Sequence, residues 1–121
     1  MTTLHGHTEA IRATRVIGTD VYNTAGEHIG EIKDVMLEKM SNGIMFAVVG
    51  FGGFLGIGEK YHAIPWSSLD YDPDQGGYVA PFTKEELMAA PSYTIDELTK
   101  DDGRIARDAS YSYYKVDPYW N

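Results

Sequence analysis

The chain has no cysteine, so disulfides, thiolate nucleophiles and thiolate metal sites are excluded. No apolar run approaches the ~20 residues that a helix needs to cross a bilayer. Met1 to His7 offers neither a basic region nor an apolar core, so no secretory signal is expected there. Bases are scarce: ten Lys and Arg stand against eighteen Asp and Glu, a formal charge of −8. Binding to phosphate backbones or anionic lipid surfaces needs clustered positive charge, so neither nucleic acid nor a membrane is an expected partner. Cytoplasmic residence is the expectation. What is present suits a folded protein: 121 residues make one domain, and a 43 % apolar content is too high for a disordered chain.

The chain is organised around residues 44–66. Ile44 to Phe51 carries no charge, is too short for a typical helix, and is rich in residues that favour a pleated backbone. Both alternating sets are apolar, Ile44/Phe46/Val48 and Met45/Ala47/Val49/Phe51, which predicts a strand covered on both faces. Gly52, Gly53, Gly56 and Gly58 then surround Phe54, Leu55 and Ile57, a spacing that predicts tight reversals with at least one positive φ. Lys60 to Ile64 resumes an extended pattern that Pro65-Trp66 ends.

Residues 1–12 are polar and aperiodic and are expected to form a loose tail. Arg15 to Ile17 reads as the first strand, turned by Gly18 to Asp20. Val21-Tyr22 leads into a reversal at Asn23–Gly26. Ile29 to Met40 predicts a long strand whose apolar phase breaks, because Ile29, Val35 and Leu37 share one face and Ile32 the other; a bulge near Lys33-Asp34 repairs the register. Ser41-Asn42-Gly43 supplies a hairpin turn, and residues 72–77 another between Leu69–Tyr71 and Tyr78–Phe82. Thr83-Lys-Glu-Glu86 and Thr94-Ile-Asp-Glu97 match the capping box, each opening a short helix, the first stopped by Pro91. Arg104 to Tyr114 reads as a third helix, with Ile105, Ala109 and Tyr113 along one face.

Four blocks then stand out together: Val16-Ile-Gly-Thr-Asp-Val-Tyr22, Gly26-Glu-His-Ile-Gly-Glu-Ile-Lys-Asp-Val35, Gly52-Gly-Phe-Leu-Gly-Ile-Gly58 and Ala63-Ile-Pro-Trp-Ser-Ser-Leu69. In order and spacing they resemble the PRC-barrel domain, over roughly residues 13–90. The resemblance implies a small antiparallel β-barrel of about six strands that serves as a docking module. In the photosynthetic reaction-centre H subunit such a domain caps membrane subunits, and in a ribosome-maturation factor a related one contacts a ribosomal protein. Neither the transmembrane helix of the first nor the extra N-terminal domain of the second is seen here, so neither partner is carried over. The chain is more similar to free-standing bacterial members. The organisation expected is a tail at 1–12, the barrel at 13–90 and a helical, aromatic extension at 91–121.

Chemical motifs are sparse. Gly53 to Gly58 is followed by Glu59-Lys60, which puts a carboxylate where a phosphate loop needs lysine and hydroxyl. Asp72-Pro-Asp74 with Gly77 lacks two calcium ligands, including the bidentate acid at the twelfth position. His5 and His7 lie in the tail, and His28 and His62 have no partners at zinc spacing, so no metal, cofactor or catalytic residue is expected. His62 reads as a wall residue.

The expected function is non-enzymatic protein–protein interaction with an unidentified partner. The alternative is a small-molecule or anion-binding barrel with the loop 52–58 at its mouth. The expected partner surface comprises Phe51, Phe54, Leu55, Ile57, Tyr113, Tyr114, Tyr119 and Trp120. The C-terminal aromatics have two destinations, the outer face of the Ile44–Phe51 strand or the same face of a second copy. The second, an exchanged-arm homodimer, is favoured.

Overall fold

The computed structural model describes residues 10–51 and 60–120. Six strands form one sheet: β1 (Asp20–Asn23), β2 (His28–Glu38), β3 (Gly43–Phe51), β4 (His62–Ile64), β5 (Asp70–Asp72) and β6 (Gly77–Ala80). Their order is β4-β3-β2-β1-β6-β5. The neighbours are antiparallel except β1 and β6, which run parallel with Val21 opposite Tyr78. That corrects the all-antiparallel expectation: β6 returns beside β1 only after the chain has crossed from β4 to β5.

The sheet is not closed by hydrogen bonds, since β4 and β5 are its two edges. It is nevertheless curled. Laid flat, six strands would hold their outer members about 24 Å apart. The link 65–69 spans at most about 20 Å when extended, and it is shortened by a 3-10 turn at Trp66–Ser68. The concave side holds the main core, with Val21, Ile32, Val49, Ile64 and Ala80 all buried.

The bulge lies where the apolar phase breaks. Ile32 faces Val49 and Asp34 faces Val48, which leaves Lys33 as the extra residue on β2. A second irregularity has no signal in the apolar pattern. Met36 faces Phe46 and Leu37 faces Ile44, so Met45 is extra on β3, and the two bulges cancel in register. Beyond the bulge the strand is two-sided as expected. Ala47 and Val49 point into the main core, while Phe46 and Val48 join Met45 and Ala63 in a second cluster on the other face.

Helices cover that second face. After the capping boxes at Thr83/Glu86 and Thr94/Glu97, both formed, come α2 (Lys84–Ala89), whose Leu87 packs instead into the main core, and α3 (Ile95–Thr99), whose Leu98 joins the second cluster. Ahead of them in the chain, α1 (Ala13–Val16) is a single helical turn in place of the strand expected at Arg15–Ile17. Only Val16 there is buried, and the bonds to β2 start at Gly18, whose amide donates to the Ile32 carbonyl, so a strand at 15–17 would have had no partner in that sheet. The last helix, α4, has the expected bounds Arg104–Tyr114. Its buried face is Ala106, Arg107, Ser110, Tyr111 and Tyr114, one position round from the predicted Ile105/Ala109/Tyr113 stripe.

Two hydroxyls fasten α4 to the sheet. The Tyr111 hydroxyl donates to the carbonyl of Met45, the bulged residue, at 3.0 Å, and Ser110 donates to the Ala63 carbonyl on edge strand β4 at 2.6 Å. The arm thus lies on the sheet of its own chain, the first of the two destinations. Truncation after Gly103 would uncover Phe46, Met45 and Val48, each worth about 1.5–3 kcal/mol of burial, a large part of a typical stability of about 5–15 kcal/mol. The cooperative thermal transition should be lost; a truncated chain that melts with the parent would contradict the covering role of the arm.

Candidate functional site

Between the β2–β3 hairpin and the start of α4 lies an open groove of about 690 Å³. It is lined by the apolar residues Met36, Leu37, Met40 and Met45, with Met36 and Met45 on the second-cluster face and Leu37 in phase with Val35 on the other side of β2. Leu37 is 63 % and Met40 96 % exposed, among the most exposed large apolar side chains of the described residues. The hairpin presents them because Asn42, at φ +62, makes the tight turn that carries Met40 to the tip. The opposite wall is shaped by the turn Lys100–Gly103, where Asp101, Asp102 and Gly103 are all left-handed, with φ of 52, 56 and 80°. Glycine suits the last of these because of its φ; a Cβ there would meet the Met36 terminal methyl at 2.9 Å, the movable end of a flexible side chain.

The rim is charged and largely paired. Arg104 holds Asp101 at 2.9 Å, which draws the Asp101 carboxyl below its ordinary pKa. Glu38 accepts from Ser41 at 2.6 Å and from the Tyr119 hydroxyl at 3.0 Å, and these bonds hold its carboxyl low. Arg107 lies 3.7 Å from Glu38, bonds Asp108 at 3.0 Å, and stacks its guanidinium 3.7 Å from the centre of the Trp120 ring. Lys115, at φ +58, ends α4 and turns the chain back so that Tyr119 and Trp120 pack on Tyr111. Burial pushes the Tyr111 hydroxyl up to about 12, so it stays a donor to Met45.

The expected partner surface is divided by the structure. Phe54, Leu55, Ile57 and the glycine cluster lie outside the described residues. Tyr114 is buried against Phe82 with ring centres 4.4 Å apart, a core role, and burial raises its pKa strongly. Phe51 packs on the main core and on the His62 ring at 4.4 Å. Tyr113 spends its hydroxyl on the Glu86 carbonyl at 2.6 Å. Only Tyr119 and Trp120 border the groove, through Glu38 and Arg107. The groove residues themselves carry a signal in composition that periodicity hides: three of the five methionines fall at 36, 40 and 45.

The other candidate motifs have structural duties. Asp72 accepts from the Asp74 amide at 2.9 Å and from Gln75 at 3.2 Å, a side-chain-closed hairpin turn. His62 is a buried wall residue on β4, as expected, with Nδ1 unpartnered. Burial, opposed by the Pro91 carbonyl, holds its imidazole below the ordinary pKa of about 6.5. As pH falls the unfolded chain therefore binds a proton before the folded one does, so stability fully present above about pH 6.5 declines below it. Urea unfolding at pH 7.5 and 5.5 (about one unit either side of that value) should show this loss, reduced in His62→Gln. An equal loss in the variant would contradict the assignment.

Among the described residues no helix is long and apolar enough to cross a membrane. No curated protein matches the chain. A family model, the PRC-barrel domain, matches residues 8–87, which includes the whole six-stranded sheet. On that match, and on a curled six-stranded sheet in the order described, the chain belongs to the PRC-barrel domain family.

Proposed function

We propose that the chain is a protein-interaction module without catalytic activity of its own, and that it docks its partner in the groove beside the β2–β3 hairpin. The observation that carries this reading is the exposure of Met40 and Leu37 at the end of the hairpin, around a groove that Met36 and Met45 also line. A soluble surface does not gather flexible apolar side chains in one concavity without use for them, and methionine suits a surface that adapts to a partner. The carboxylates and arginines near it are occupied as ion-pair and hydrogen-bond partners, which supports docking over chemistry. A binding role agrees with the docking use implied by the family resemblance. A second reading, a small-molecule or anion site beside the loop 52–58, is favoured by one observation, the buried His62 Nδ1 without a partner next to Phe51.

A photo-crosslinking residue at position 40 should give discrete, saturable protein adducts that Leu37→Asp abolishes. The same probe at exposed Tyr71, on the far sheet edge, should not. Equal adducts from both positions, or none from position 40, would contradict groove docking.

A further inference from the structure

Resting on that docking reading, we infer that Met40 is an oxidation site: a peroxide converts its thioether to the sulfoxide, and the added oxygen weakens docking at the groove. Composition restricts where an oxidant can act. Thiolates are the side chains that peroxides attack most readily, and the chain has no cysteine to offer one. That leaves the polarizable thioethers of five methionines, three of which line the groove. Geometry then separates the three. Met40 lies on the turn between β2 and β3 and is 96 % exposed, so its sulfur meets solvent freely. Met36 is half-buried against the second cluster, and Met45 is 3 % exposed within it. The end methyls of both lie beside Gly103, where an added Cβ would meet them at 2.9 and 3.6 Å. An oxidant reaches Met40 in the folded protein and Met45 only when the start of α4 lifts away.

The step is an oxygen transfer. The Met40 sulfur lone pair attacks one oxygen of hydrogen peroxide, and the S–O bond forms as the O–O bond breaks. The proton of the transferred oxygen moves to the departing hydroxide, which leaves as water. Sulfur is oxidised and the peroxide reduced, and enzymes of the methionine sulfoxide reductase class reverse the change. The product is polar, and water solvates it at the exposed turn, so the fold loses nothing. A partner seated on Met40 would have to bury that oxygen in an apolar contact, which is unfavourable. Met45 differs, because an oxygen on its sulfur would stand inside the cluster formed with Phe46, Val48 and Leu98 and would disturb its packing. Mild oxidation thus acts on docking alone, and harsher oxidation acts on stability. Met88, 63 % exposed on α2 and outside the groove lining, is the reference site, whose oxidation leaves docking unchanged.

The probe is dilute hydrogen peroxide on the full chain, with peptide mass mapping of oxygen uptake at each methionine. Met40 should be oxidised well before Met36, and Met45 last. The thermal transition should not move while Met40 is the only groove methionine modified. Docking is read in the same samples, after the peroxide is removed, from a photo-crosslinking residue in place of exposed Lys39. Its saturable adducts should weaken about tenfold once Met40 carries oxygen, the size expected from burying one unpaired polar atom. A methionine sulfoxide reductase should restore them. Met88→Leu should respond to peroxide as the parent does, whereas Met40→Leu, whatever its starting yield, should keep that yield. Oxygen uptake at Met45 as early as at Met40, a thermal transition that falls with Met40 oxidation, or a Met40→Leu chain as sensitive to peroxide as the parent would overturn the assignment. Adducts unchanged by Met40 oxidation remove the oxidation effect and leave groove docking standing. Untreated chains that give no adducts from position 39 or position 40 remove the docking reading itself, and the oxidation effect with it.

Discussion

A strand that is apolar on both faces must be covered twice, and most of this structure follows from that requirement at β3. The curled sheet supplies one cover from within its own concavity. The second comes from α3, α4 and the chain that joins them. Packing alone would not fix where α4 sits. The Met45 bulge leaves that residue without a ladder partner, and Tyr111 places a hydroxyl on its carbonyl. Ser110 does the same for an outward carbonyl of edge strand β4, and a two-bond bridge between Tyr61 and Tyr93 occupies the edge just before it. A buried carbonyl left unpaired costs about 1–3 kcal/mol, so these bonds set register as well as adding stability.

The groove is a by-product of the same arrangement. Because the hairpin extends past β1, its tip stands clear of the sheet, and α4 must approach from the side. The left-handed turn at Asp101–Gly103 brings the start of α4 against Met36 and Met45 and stops short of Leu37 and Met40. The space between is left apolar and open. Arg107 couples the two features: its stem lies under α4, while its guanidinium reaches Trp120 on one side and approaches Glu38 on the other. The arm that covers β3 thus also braces the groove.

Local chemistry was legible in the residues and long-range placement was not. Both capping boxes, the Asn42 turn, the Lys33 bulge and the bounds of α4 rest on contacts within a few positions, and each was readable from residue type. The buried face of α4 was not, because it is built from Arg107 and Ser110 as well as Ala106 and Tyr111. An apolar count overlooks polar residues whose partners, Ala63 and Glu38, lie far away in sequence. The parallel pairing of β1 with β6 depends on a crossover no local pattern records. The Met45 bulge was hidden because Met45 and Phe46 are both apolar, so a slip between them leaves the pattern unchanged. The aromatic extension was recognised as a cover, but the apolar groove it borders was not, since isolated methionines in a strand read as core.

The central claim is that α4 is seated by the bulge, and Tyr111→Phe tests it most directly. The substitution keeps the ring and its packing on Tyr119 and Trp120 and removes only the oxygen that meets Met45. Chemical denaturation should show a loss of about 1–3 kcal/mol, against a smaller change for Tyr113→Phe at the more exposed Glu86 carbonyl. A Tyr111→Phe chain as stable as the parent, or no more affected than Tyr113→Phe, would contradict the account.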